Sequence, residues 1–399
     1  MIVKSYKLLG GKHPETATVK NALASLGVKA PHTGKPFTEE MLLGIAGGLG
    51  MGYILWEFKK HNTAILVMAF QNKWNYPVKF LGNLCKRIGV KAVFKETSGT
   101  VAAGKNLKDA LAQEVPGIVW VDQAHLPYLS LPREFNGCFG GIVNVYGYDE
   151  KHDHFLIHDL GKKLLLLSAQ ELAQARGRIP SYKNRLLLVQ PPAEIDLKHA
   201  IIDGIQDCVD YLSAPSETFA LPAIAKWAKL MTEAKNKKGW PVVFKKRQGL
   251  YGTLVSVYEG IEHKGTGGGG MRGMYADFLT EAAAVIDKPG LLEATQHYKT
   301  LAKMWTKLAE ACLPDHMKPC KEVKALLRQK YQLLKTKGES GLAQVGKISE
   351  KLNAHEKKLN TSFPLSDVET NRLFAEIQEQ LFNIHEAEKR ALEALRAAL

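Results

Sequence analysis

The chain has 399 residues, 45% hydrophobic and 24% charged. That balance argues against disordered and fibrous classes, and the length exceeds the roughly 250–300 residues at which one core stops growing. A net charge of +14 favours acidic partners, yet the basic residues are dispersed and no zinc-finger, basic-zipper or RNA-recognition signature is present, which argues against nucleic acid. Five scattered cysteines without C-x-x-C spacing argue against a disulfide framework or structural zinc and fit a reducing, cytoplasmic setting.

The opening "MIVKSYKLLGGKH" lacks the apolar segment and cleavage site of a secretory leader. "GGKHPETATVKNAL" then reads as a loop entering a helix, with Val19, Ala22, Leu23 and Leu26 at helical spacing. Pro14 suits the first turn, where Glu15 and Thr16 meet the positive end of the helix dipole. The uncharged run from Met41 to Trp56 contains five glycines over 16 residues, short of the roughly 20 needed to span a bilayer. Its "GIAGGLGMG" follows a helical pattern without a surrounding βαβ unit, so it reads as close packing and not as a dinucleotide site.

"TAILVMAF", "AVFKET", "GIVWVD", "GIVNVYGYD" and "HFLIHDL" are β-branched and aromatic runs bounded by turn residues, predicting strands of one mixed or antiparallel sheet. Ser168 and Glu171 form a capping box for a later helix. Pro191-Pro192 ends this region, and amphipathic segments without strand signals follow. The pattern predicts an α+β protein with domains at 1–192 and 193–399, the second all-helical.

His152, His154 and His158 share one strand parity, but a turn near Lys151–Asp153 interrupts them and no recognisable ligand spacing is completed, so no metal is expected. Lys235, Lys237, Lys238, Lys245, Lys246 and Arg247 gather around Trp240 and Phe244, a surface suited to an acidic protein. In "HKGTGGGGMRGMYADF", the glycines Gly267, Gly268, Gly269 and Gly270 precede a helix with Arg272 in its first turn, an arrangement suited to an anion. After a Ser366/Glu369 capping box, the last helix carries a seam of Phe374, Ile377, Leu381, Ile384, Glu388, Ala391 and Leu395, broken only by Glu388. An intrachain partner is favoured over a homodimer for this seam, because coiled coils need three or four sustained heptads.

Taken with "FTEEMLLGIAGGLGMGYILW", "GGIVNVYGYDE", "LIHDL" and "GTGGGGMRGMYADFLTEAA", the "GGKHPETATVKNAL" stretch resembles the family of butirosin-biosynthesis protein H over nearly the whole chain. The resemblance implies a papain-like N-terminal domain, a helical second domain, and transfer of an acyl group from a carrier-protein thioester to an amine. For such a reaction the segment of Gly267 to Gly270, Arg272 and Tyr275 would suit a phosphopantetheine phosphate, carried as part of the substrate, or a substrate carboxylate, and the expected partners are an acidic acyl carrier protein and a small-molecule amine.

In that family a cysteine directly follows the histidine matched by His13, where this sequence has Pro14. The family's later histidine also lacks a match, with Cys138 and Ile142 where it would stand, while Asp159 matches the acidic residue that would orient it. Proline offers neither a nucleophile nor an N–H, so an acyl-enzyme at position 14 is excluded. The expectation is a cysteine-independent site in which His13 or Glu15 serves as general base for direct attack by the amine. Relocation of the nucleophile to Cys138 is one alternative. A catalytically silent ligand-binding or scaffold protein that keeps the family cleft is another.

Overall fold

The computed structural model describes residues 1–58, 63–131 and 136–399. In chain order the first half runs α1 (Pro14–Ser25), α2 (Glu39–Ile45), β1 (Leu49–Phe58), β2 (Thr63–Gln71), α3 (Pro77–Arg87), β3 (Lys91–Lys95), α4 (Thr100–Ala112), β4 (Gly117–Asp122), β5 (Gly140–Asp149), β6 (His154–His158), β7 (Leu165–Ser168), α5 (Ala169–Gly177) and β8 (Leu186–Gln190). Helices alone follow: α6 (Leu197–Ser213), α7 (Pro222–Thr232), α8 (Trp240–Val243), α9 (Leu250–Glu262), α10 (Arg272–Ile286), α11 (Leu291–Cys312), α12 (Lys318–Lys337), α13 (Leu342–Thr361) and α14 (Asp367–Ala397). The protein is α+β, with antiparallel sheets in its N-terminal region and a helical C-terminal region.

Two compact units are assembled from interleaved segments. One comprises Met1–Leu42, Cys85–Asp196 and Arg328–Glu350; the other comprises Leu43–Leu84, Leu197–Leu327 and Lys351–Leu399.

The first unit is built on a six-stranded antiparallel sheet in the order β3-β8-β4-β5-β6-β7. Val143, Val145 and Tyr148 of β5 join Leu107 and Leu111 of α4 and Leu172 of α5 in one core, each buried aliphatic side chain stabilising by about 1.5–3 kcal/mol. A register shift between Val145 and Gly147 brings both Val145 and Tyr148 into that core. Asn144 turns instead to α1, where its Nδ2 donates to the Thr18 carbonyl at 3.0 Å. The Ser168/Glu171 capping box is formed as the sequence implies.

In the second unit β1 and β2 make a separate antiparallel hairpin packed by α6, α7 and α9. The single sheet expected from the sequence is therefore two, because "TAILVMAF" pairs with its immediate neighbour β1. In the glycine-rich segment a helix gives way to a strand. Gly47 and Gly48 adopt φ of +115° and +63°, ending the helix so that a strand begins at Leu49. Its glycines do serve close approach: a Cβ on Gly44 would lie 2.3 Å from the Phe278 ring, and one on Gly204 would lie 2.3 Å from the Gly44 carbonyl. The α14 seam is buried throughout and packs on α7 and α11, an intrachain contact.

Candidate functional site

The start of α1 is held by charge. His13 is its N-cap and Pro14 its first residue, and the N–H groups of Lys12 and His13 just before the helix need an acceptor where they are removed from water. Glu39 provides it, taking the Lys12 N–H at 2.9 Å and the His13 N–H at 2.6 Å, with Lys20 Nζ 3.5 Å from the same carboxylate. His13 Nε2 lies 3.0 Å from Glu15 Oε2, and its Nδ1 lies 3.1 Å from Thr16 Oγ1. The Nε2 proton is donated to the Glu15 carboxylate. The imidazole side chain is 3% exposed and the Glu15 side chain 15%, so the carboxylate is the more accessible member. Burial pushes the Glu15 carboxyl up, but the charge and hydrogen bond of His13 outweigh it and hold the group below its ordinary value. Glu15 is therefore an anion at neutral pH.

The face of β5 that meets α1 lacks a histidine. Ile142 is buried, and a Cβ on Gly140 would fall 1.7 Å from the Tyr182 hydroxyl, so tyrosine occupies the space a side chain at the strand start would take. Burial foremost, then the negative charges of Glu15 and Asp122, raise the Tyr182 hydroxyl, while Arg185 lowers it. Those groups share one electrostatic neighbourhood with α1.

Asp122 ends β4 and is fully buried. Its Oδ2 accepts from His125 Nδ1 at 2.7 Å and from the Gly137 N–H at 2.8 Å. Cys138, the next residue after Gly137, is exposed. The local signal for this pair is the D-x-x-H spacing of "VDQAHLP", which lies outside the motifs singled out above.

Asp159 follows β6 and accepts from the Tyr128 hydroxyl at 3.2 Å. Burial pushes its carboxyl up to about 6, with the Tyr128 bond opposing. The structure thus joins His13 with Glu15, and Asp159 with Tyr128, while Cys138 is fastened beside Asp122. His152 and His154 are set on the surface, His158 is buried, and among the described residues no group of His, Cys, Asp and Glu could hold a metal ion.

In the second unit Gly267, Gly268, Gly269 and Gly270 all have positive φ. The Gly268 N–H reaches Thr266 Oγ1 at 3.3 Å, and the Gly269 N–H reaches Glu262 Oε1 at 3.3 Å. The anion at Arg272 is an internal one: its Nε donates to Glu388 Oε1 at 2.8 Å and its Nη1 to the Gly270 carbonyl at 2.8 Å. Phe70 and Trp305 flank the guanidinium at 5.1 and 5.3 Å, and Trp305 Nε1 donates to the same Glu388 oxygen at 2.9 Å. Glu388 breaks the α14 seam because it neutralises a fully buried cation. Tyr275 is also buried, its ring against Gly48.

Residues 13–160 match the family described as "Butirosin biosynthesis protein H, N-terminal", and residues 170–359 match a "Domain of unknown function (DUF4872)". No curated protein matches the chain. Among the described residues no helix is long and apolar enough to cross a membrane.

Proposed function

Given the relationship of residues 13–160 to the butirosin biosynthesis protein H family, we propose that this protein belongs to a biosynthetic acyl-transfer system. It binds an acyl group as a carrier-protein or pantetheine thioester, binds an amine acceptor, and joins them as an amide with no covalent intermediate on residue 14. The observation that carries this reading is the ionised Glu15 carboxylate at the more accessible end of the His13–Glu15 pair, a group suited to hold the amine and take its proton as the nitrogen attacks the thioester carbonyl. Lys235, Lys237, Lys238, Lys245 and Lys246 are exposed and support docking of an acidic carrier, which should weaken as salt rises.

The test is amide formation from acyl-pantetheine thioesters and a panel of amines, in the parent and in Glu15→Gln. A loss of about tenfold or more in the variant, carried by the amine's KM, is the expected outcome. Failure of every thioester and amine to react would remove the reading.

A second reading, a silent binding protein, is favoured by the engagement of both His13 nitrogens together with proline at position 14. Calorimetric binding of a pantetheine thioester without turnover would select it.

A further inference from the structure

Cys138 is the exposed cysteine; Cys85, Cys208, Cys312 and Cys320 are buried. Burial pushes the Cys85 thiol up to about 12, and those of Cys208 and Cys320 up to about 11, so all three are poor nucleophiles at neutral pH. The chain on either side of Cys138 is fastened to one short segment. The Gly137 N–H is held by Asp122, and the Phe139 carbonyl accepts from the Gln123 N–H at 2.8 Å. His125 belongs to that same segment.

Asp122 does for His125 what a buried carboxylate does in a nucleophile–histidine–acid arrangement. It accepts from Nδ1, fixing the tautomer and leaving Nε2 as the basic nitrogen. The carboxylate side chain is 0% exposed and the histidine 22%, so the anchor is inside and the base reaches solvent. Asp122 Oδ1 is buried with no hydrogen-bond partner among the described residues. Arg178 lies against Gly137 and donates to the Asn136 carbonyl at 3.2 Å, placing a cation beside the loop.

From this arrangement we infer that Cys138, His125 and Asp122 form a nucleophilic centre that accepts an acyl group from a thioester. The inference rests on the acyl-transfer reading for its substrate, and replaces direct attack by the amine with a covalent route. His125 Nε2 takes the Cys138 proton. The sulfur attacks the thioester carbonyl, a new C–S bond forms, the donor C–S bond breaks, and the donor leaves as a thiol carrying the proton from His125. The amine then attacks the Cys138 thioester carbonyl, a C–N bond forms, the acyl C–S bond to Cys138 breaks, and the amine's proton passes through His125 to the sulfur, regenerating the thiol. The Tyr182 hydroxyl, against Gly140, is an O–H donor for the oxyanion.

The experiment uses the full chain and iodoacetamide, with alkylation at Cys138 followed by peptide mass at pH 7. Labelling about tenfold or more slower in His125→Ala than in the parent, with unchanged Tm, is expected; Asp122→Asn should slow it too. Equal rates in parent and His125→Ala overturn the centre. Because His125 is partly exposed, its variant carries the test even if Asp122→Asn fails to fold. In a second arm the protein is incubated with acetyl-pantetheine and an amine, and an acetyl mass on Cys138 is expected. Amide formed at the parental rate by Cys138→Ser overturns the covalent route and leaves acyl transfer standing. His125-dependent alkylation with no acylation from any thioester leaves the nucleophilic centre standing and removes the acyl-transfer reading.

Discussion

His13–Glu15 and His125–Asp122 use the same two chemical groups at nearly the same distance, 3.0 and 2.7 Å, yet they are turned opposite ways. In the first the imidazole is inside, 3% exposed, and the carboxylate reaches outward; in the second the carboxylate is 0% exposed and the imidazole reaches outward. Backbone context sets the direction. At the start of α1, His13 is an N-cap whose ring folds back on Thr16. At the end of β4, Asp122 belongs to a strand with every residue buried, and the following 3-10 turn lifts His125 away. The buried member anchors and the other is the more accessible, so one pair presents a carboxylate and the other an imidazole.

The comparison can be sharpened first with a pair that has no accessible member. Arg272 and Glu388 are both 0% exposed, so Glu388→Gln should leave a buried cation uncompensated and cost about 3–5 kcal/mol in urea unfolding. A much smaller loss would mean that depth does not set the cost of breaking these pairs.

Next comes a buried histidine with no carboxylate partner. His158 Nε2 donates to the Gly161 carbonyl at 2.8 Å, which leaves Nδ1 to accept from the Tyr6 hydroxyl at 2.7 Å. Burial pulls its pKa down from 6.5 to about 4, with Gly161 opposing and Lys20 adding to the fall. The neutral ring's contribution, up to about 3 kcal/mol, is complete above pH 6.5 and is lost as pH falls through 4. Asp159 has the reverse slope. Raised from 3.8 to about 6, it contributes fully below pH 3.8 and loses that contribution as pH rises through 6. The neighbours offset each other, so the parent should show little net slope from these two groups between pH 4 and 6, whereas Asp159→Asn should gain stability as pH rises across that window. Denaturant midpoints from pH 4 to 7 check this, and parallel curves for parent and variant would refute it.

The smallest effect belongs to the His13–Glu15 pair. Glu15→Gln should cost about 1 kcal/mol at pH 7. Because the folded Glu15 carboxyl is held below its ordinary 4.5, the parent should lose this advantage as pH falls below that value. A difference between parent and variant that persists unchanged at pH 3 would show that something other than the charge pair is being measured.

Local grammar made much of the fold legible. Helix α1, both capping boxes and strands β2 to β6 each carry their own signal within a few residues. The hairpin partner β1 was hidden because Gly50 and Gly52 dilute its β pattern: a Cβ at Gly52 would lie 2.5 Å from Trp74 Nε1, a contact no local window contains. Strands β7 and β8 are leucine runs, LLLS and LLLVQ, with little of the β-branched and aromatic character that marks the others. Glu388 was visible as an intrusion in an apolar seam, but its cause stands 116 residues upstream. Cys138 could be singled out as a thiol in a glycine-bearing loop; its tie to Asp122 and His125 depends on how that loop folds back over the end of β4.

Residues 328–350 carry a further consequence for the order in which the protein can be made. Their Glu339 accepts from the Leu166 N–H at 2.6 Å, Lys335 accepts from the Lys162 N–H at 3.1 Å, and Leu334 and Leu342 pack on the first unit's core. They therefore help cover β7, the edge strand of its sheet. On a ribosome adding about 5–20 residues per second, the interval between residue 196 and residue 350 lasts about 8–30 s. Throughout it the nascent sheet holds an edge without this cover, open to pairing with a neighbouring chain. Chains that terminate before residue 328 should accumulate in that condition and aggregate, however well their own strands form.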